Sequence, residues 1–81
     1  VSVEVTVLFF AQLRTATGTP ETRVNVEQGS DVRSLASTLE STYQGLVLQG
    51  SMCAVNEAYA DPGTQLQGGE TVAFLPPVSG G

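Results

Sequence analysis

Val3-Glu4-Val5-Thr6-Val7-Leu8-Phe9-Phe10 is the stretch that decides the fold class. β-Branched and aromatic residues dominate it, and Val3, Val5, Val7 and Phe9 alternate with the rest, the pattern of a strand with one buried face. On its C-terminal side, Ala11 to Thr17 has room for a helical turn that Gly18 ends, and Glu21 to Glu27 (ETRVNVE) alternates again until Gly29. Two such runs predict a hairpin with a long connection. Ser30 is then a suitable N-cap, with Asp31 where the helix dipole favours an acid. Val32, Leu35, Ala36, Leu39 and Tyr43 form one apolar stripe of an amphipathic helix, and Gly45 is a natural stop. Met52 to Asn56 and Ala58 to Ala60 read as short strands around an Asn56-Glu57 turn. After turns at Asp61-Pro62-Gly63 and Gly68-Gly69, Glu70 to Leu75 is the last strand. The expected class is α+β: a mixed sheet packed on one main helix, occupying residues 1–75, with residues 76–81 as an extended, flexible tail.

The composition narrows the function. The 81 residues suffice for one small domain, whose core leaves little room for a buried active site. Eight acids against three arginines give a net charge of −5, and lysine and histidine are absent. Nucleic acids and acidic membranes draw their partners through Lys and Arg, so neither is expected here, whereas a basic protein surface would be attracted. Without His the commonest general base and metal ligand is missing, and without Lys there is no Schiff base. No metal site is expected. The single cysteine, Cys53, fits a reducing compartment, and no signal-like or membrane-length apolar run occurs. The expected location is the cytoplasm.

The chain closes on Pro76-Pro77-Val78-Ser79-Gly80-Gly81. Two prolines cannot donate to a ladder and set an extended path, while Gly80 and Gly81 carry no side chain. Six extended residues reach about 20 Å. On its own a terminal diglycine is equally an ordinary frayed end or a remnant of cleavage. The combination says more: a closing strand feeds a stiff diproline and a slim tip, a shape that threads a narrow tunnel where a Cβ would clash. A terminal carboxylate is a poor electrophile, reactive only after another protein activates it.

Leu8-Phe9-Phe10-Ala11-Gln12-Leu13-Arg14, Ala54-Val55-Asn56 and Glu70-Thr71-Val72-Ala73-Phe74-Leu75-Pro76-Pro77-Val78-Ser79-Gly80-Gly81 together resemble the small sulfur-carrier subunit of molybdopterin synthase, along nearly the whole chain. The resemblance implies a ubiquitin-like β-grasp and a mechanism. An ATP-dependent adenylating enzyme activates the Gly81 carboxylate, and a sulfur donor protein converts it to a thiocarboxylate. The large synthase subunit then receives the tail and passes the sulfur to cyclic pyranopterin monophosphate, two transfers building a dithiolene. The carrier binds no cofactor of its own, is not catalytic alone, and works in a heterotetramer of two large and two small subunits. Gly81 would carry the reactive group, Gly80 would keep the tip slim, and Pro76, Pro77, Val78 and Ser79 would aim it.

Parity adds a further expectation. If Val3, Val5, Val7, Phe9, Val72 and Phe74 face the helix, Leu8, Phe10 and Leu75 face outward. In a β-grasp the first and last strands are parallel neighbours, so Phe10 and Leu75 would form an apolar patch beside the tail exit, a partner site or a patch under a local loop. Arg14 either pairs with an acid on a partner or is simply solvated. Cys53 reads as a small core residue, and Tyr43 and Tyr59 as packing residues. Three other roles remain open: a thiamin-pathway sulfur carrier with the same fold and ending, a ubiquitin-like modifier joined to lysines of other proteins, and a small interaction domain with an inert tail.

Overall fold

A computed structural model describes residues 1–48 and 50–76. The chain runs β1 (Ser2–Phe9), α1 (Gln12–Thr17), β2 (Glu21–Glu27), α2 (Val32–Thr42), β3 (Met52–Val55), β4 (Ala58–Tyr59) and β5 (Thr71–Leu75). The five strands form one mixed sheet in the order β2-β1-β5-β3-β4. β1 pairs antiparallel with β2 and parallel with β5, from Thr6↔Thr71 to Phe9↔Phe74. The other side of β5 pairs antiparallel with β3, from Met52↔Leu75 to Val55↔Val72. A parallel pair of terminal strands at the centre of the sheet, with the main helix inserted between the hairpin and the later strands, is the ubiquitin-like β-grasp.

Alternation in the sequence becomes burial in the sheet. Val5, Val7 and Phe9 of β1, Val26 of β2, and Val72 and Phe74 of β5 lie in the core with Val32, Leu35 and Leu39 of α2. Tyr43 extends the helical stripe: its ring meets Phe9 edge-on, with centroids 5.8 Å apart and planes 78° apart. Leu13, Leu46, Leu48 and Leu66 complete the core. Three of these four come from connecting segments, outside any periodic run. Leu66 is held there by backbone bonds, donating to Ser30 O at 2.7 Å and accepting from Gly29 N at 2.8 Å.

The helix boundaries differ from the sequence expectation. The N-cap is Asp31, whose carboxylate accepts from Ser34 N at 2.9 Å; Ser30 lies one residue earlier, in the turn that follows β2, its N–H donating to Glu27 O. At the other end Tyr43, extended and non-helical, closes α2, and Gly45 (φ 88°) serves the turn beyond it. Asn56 and Glu57, both at positive φ, form the tight turn between β3 and β4. Asn56 also fixes the start of β5, since its Oδ1 accepts from Thr71 N at 3.0 Å and its N–H donates to Thr71 O at 2.8 Å.

The entry into β5 is the most tightly specified loop. Gly68 (φ 117°) passes so close to β1 that a Cβ there would lie 2.9 Å from Val3 Cβ, which excludes any side chain. Gly69 N donates to Glu4 O at 2.8 Å, and Thr6 N donates to Glu70 O at 3.0 Å. The Glu70 carboxylate accepts from Gln67 N and Gly68 N, both at 2.7 Å. Partial desolvation opposes its charge, but these two donors outweigh it and hold the carboxyl below its usual range.

Two predictions follow from this packing. Leu66→Ala should cost about 2–5 kcal/mol in denaturant unfolding, as a fully buried leucine does, although the residue belongs to no helix or strand. A carboxyl depressed by folding stabilises the fold above its unfolded pKa and stops doing so as pH falls through its folded value. Glu70→Gln should therefore lower stability at neutral pH by about 1 kcal/mol, a figure kept small by solvent screening. The gap to the parent protein should close as pH drops below the ordinary value of 4.5. A gap that persists unchanged in acid would show that the charge plays no part.

Candidate functional site

Directly paired residues share a side of the sheet, so the register maps the face turned away from α2. Across the sheet, Leu8 of β1 stands beside Ala73 of β5, Ala73 beside Ala54 of β3, and Ala54 beside Tyr59 of β4. One step nearer the exit of β5, Leu75 stands opposite Met52. Phe10, the residue after β1, lies at this same end, since Phe9 pairs with Phe74. Phe10 is 45% exposed, Met52 40% and Tyr59 74%, while Leu8 and Leu75 are half-buried. Val47, 65% exposed, lies in the segment before β3. Most of the large apolar side chains exposed among the described residues therefore gather around the point where the chain leaves β5.

Phe10 and Leu75 thus follow the paired Phe9 and Phe74 at the same end of the sheet, Phe10 exposed and Leu75 half-buried. The structure also adds Met52, Ala54 and Tyr59, which the sequence reading did not include. Tyr59 is a correction: it is not a packing residue but a ring on the outer face. The two-residue β4 was too short to show a period, so only its pairing with Ala54 reveals its side. Arg14 is exposed on α1, which begins two residues after Phe10, and it lines a shallow depression with Ala11, Thr15, Thr19 and Pro20. Pro76 is half-buried at the exit. Pro77, Val78, Ser79, Gly80 and Gly81 lie outside the described residues.

The opposite face offers little chemistry. A cavity of about 700 Å³ opens between α2 and β3, walled by Ala36, Cys53 and Phe74, with Arg33 and Glu40 of α2 on one side and Met52 and Tyr59 reaching it from the margin of the sheet. The Glu40 carboxylate is engaged, accepting from Leu48 N at 2.7 Å. Cys53 is half-buried against the core, and burial pushes its thiol above the usual value. A thiol kept protonated is a poor nucleophile. Iodoacetamide at neutral pH should therefore modify Cys53 at least about tenfold more slowly in the folded protein than in urea. Equal rates would mean that the thiol is neither shielded nor raised.

Comparison with known proteins gives this arrangement a context. The ThiS family model matches residues 7–81. The molybdopterin synthase sulfur carrier subunit of Mycobacterium tuberculosis is 39% identical over 82 aligned positions, covering 98% of this chain and 99% of that protein. Among solved structures, the complex of subunits 1 and 2 of the molybdopterin-converting factor from Helicobacter pylori contains a chain 27% identical to this one. The TM-score is 0.64, and the match covers 98% of this chain and all of that one. Small archaeal modifier protein 1 from Methanosarcina acetivorans is also 27% identical, with a TM-score of 0.80 over 100% of this chain and 99% of that one. With a family match that begins inside β1 and runs through β5 to Gly81, and curated relatives that are molybdopterin synthase sulfur carrier subunits, the chain belongs to the ThiS family.

Proposed function

We propose that this protein is the sulfur carrier of a molybdopterin synthase, with the Gly81 carboxylate as the group that is charged and the outer sheet face as the surface that docks on the large subunit. The observation that carries the reading is the coincidence of exit and patch. β5 runs parallel to β1 and ends at Leu75, among Phe10, Met52 and Tyr59, so a partner gripping that face meets the chain leading to Gly81. The Helicobacter pylori complex pairs a chain of this fold with a second subunit, which supports a large-subunit partner.

The chemistry divides between this chain and its partners. A Gly81 carboxylate oxygen attacks the α-phosphorus of ATP on an adenylating enzyme, and pyrophosphate leaves. A sulfur nucleophile from a donor protein then adds at the acyl carbon, and AMP departs with its oxygen. When that nucleophile is a persulfide, the product is an acyl disulfide, and a second thiol of the donor attacks its donor-side sulfur, forming a disulfide on the donor and releasing the thiocarboxylate. On the large subunit that sulfur bonds to an oxygen-bearing carbon of cyclic pyranopterin monophosphate, and the carbon–oxygen bond there breaks, the oxygen leaving as water or with the phosphate. Water hydrolyses the resulting thioester, leaving the sulfur on the acceptor and restoring the carboxylate. None of these steps asks this chain for a general acid or base, in keeping with a sequence that has no histidine or lysine. Its share is to hold the tail in register with the partner's site, an entropic contribution.

The similarity to small archaeal modifier protein 1 favours a second reading, in which the same activated end is joined to amines of other proteins. Reconstitution with the adenylating enzyme, a sulfur source and the large subunit distinguishes the two. A carrier yields dithiolene product and remains unattached, whereas a modifier appears as a lysine-linked conjugate. Phe10→Asp should weaken binding to the large subunit by about tenfold or more, since a charge would be desolvated in an apolar contact, with thermal stability nearly unchanged because the site is exposed. One residue added after Gly81 should abolish dithiolene formation while leaving that binding intact. Full activity of the extended chain would refute the assignment of Gly81.

A further inference from the structure

Among the described residues, β2 is an edge strand of seven residues with β1 alone beside it. Exposed edges are usually blunted by a proline, a bulge, a lysine or an overlying loop. Within Glu21–Glu27 there is no proline or lysine, and the register with β1 runs without a bulge from Ser2↔Glu27 to Leu8↔Glu21. The hydrogen bonds that bracket the strand fix which groups look outward. Gln28 N donates to Val1 O and Phe9 N donates to Pro20 O, so the even-numbered residues of β2 turn their backbone groups toward β1. Glu21, Arg23, Asn25 and Glu27 therefore turn theirs to the free edge, and their side chains lie on the outer face of the sheet.

We propose that this edge pairs antiparallel with β2 of a second copy of the chain, about a two-fold axis at Asn25. In that register Asn25 faces Asn25 of the second copy, and Arg23 faces Glu27 on both sides of the axis. Arg23 and Asn25 turn both N–H and C=O to the edge, and Glu27 its N–H. The Glu27 C=O, which already accepts from Ser30 N at 2.9 Å, takes the bond from the second copy on its other lone pair, and its carboxylate is shared with the Val1 ammonium 3.3 Å away. On the helix side of the sheet Val24 meets Val26, and half-buried Val24 gains apolar cover.

Charge selects this register over its neighbours. An axis at Val24 sets Glu21 against Glu27, and one at Arg23 sets arginine against arginine. An axis at Val26 sets Asn25 against Glu27 and forms no charge pair. The remaining candidate, at Thr22, would match Glu21 with Arg23, but both backbone groups of Glu21 are engaged there: Thr19 Oγ1 donates to Glu21 O at 2.8 Å and accepts from Glu21 N at 3.4 Å, whereas Glu27 keeps its N–H free for pairing. Like charges directly opposite one another destabilise a strand pair, and opposite charges support it.

The pairing has a geometric consequence. Two five-stranded sheets become one continuous sheet, and because β2 runs antiparallel to its copy, the two β5 strands point in opposite directions. The Phe10, Met52 and Tyr59 faces stay uncovered, and the two β5 strands end at opposite ends of the joined sheet. The paired state is therefore compatible with docking at the exit of β5, and its existence does not depend on the carrier assignment. The short overlap and the mutual repulsion of two chains of net charge −5 keep it weak, with a Kd on the order of 1 mM.

Sedimentation equilibrium between about 10 μM and about 1 mM, with amide exchange at the highest concentration, tests the proposal. The parent protein should shift toward twice its monomer mass, with exchange slowed at the Asn25 and Glu27 amides. Arg23→Glu should weaken association at least tenfold without changing the circular dichroism spectrum. Combining it with Glu27→Arg should restore association, because the exchanged charges again match across the axis. A parent protein that stays monomeric at the highest concentration would overturn the proposal. So would association that Arg23→Glu leaves untouched, or that Phe10→Asp abolishes, since the contact would then lie elsewhere.

Discussion

The parallel pairing of β1 with β5 is the constraint on which the rest of the molecule depends. It joins the first strand to the last, so the sheet closes only after the whole chain has been laid down around it, and the ordering entropy of the intervening residues must be met by the core. Its inner side is that core: Val5, Val7, Phe9, Val72 and Phe74 meet Leu35 and Leu39 of α2. Its entry is fixed on two sides, by Gly68 and Gly69 against β1 and by Asn56 against Thr71. A strand fixed at its entry delivers its exit to a defined place. That place lies beside Phe10, with Met52 and Tyr59 on the neighbouring strands.

From this constraint follows a division of labour. A sulfur carrier of the ThiS family needs little chemistry in its own side chains, and this one has little to offer. Histidine and lysine are absent, and the thiol of Cys53 is kept protonated by burial. What the fold supplies is position: a rigid sheet, an apolar face and a chain leaving from the middle of that face. The acidic remainder of the surface suits partners with basic surfaces and raises the rate of encounter more than the final affinity. The free β2 edge lies on the far side of β1 from this face, so events at one need not disturb the other.

Much of this was legible in the sequence because it rests on periodicity. Alternation in Val3–Phe9 and Glu21–Glu27 identified two strands and their buried faces, and the spacing from Val32 to Tyr43 identified the helix and its stripe. Parity then placed Phe10 and Leu75 outward. The residues that escaped are those placed by long-range pairing rather than local pattern. Leu66, Leu46 and Leu48 enter the core from irregular segments, where burial leaves no period to read. Tyr59 took its side from its pairing with Ala54. Ser30 and Asp31 are both good caps by composition; the structure places Ser30 in the turn after β2, its N–H donating to Glu27 O, and Asp31 at the cap.

The central claim is that a well-placed chain end, not a side chain, carries the sulfur. The most direct measurement is the intact mass of the protein after incubation with ATP, an adenylating enzyme and a sulfur source. A gain of about 16 Da, sulfur replacing one oxygen, localised by fragmentation to Gly81 and persisting in Cys53→Ala, is the predicted result. A gain that disappears in Cys53→Ala, or that maps to any residue other than Gly81, would contradict the account.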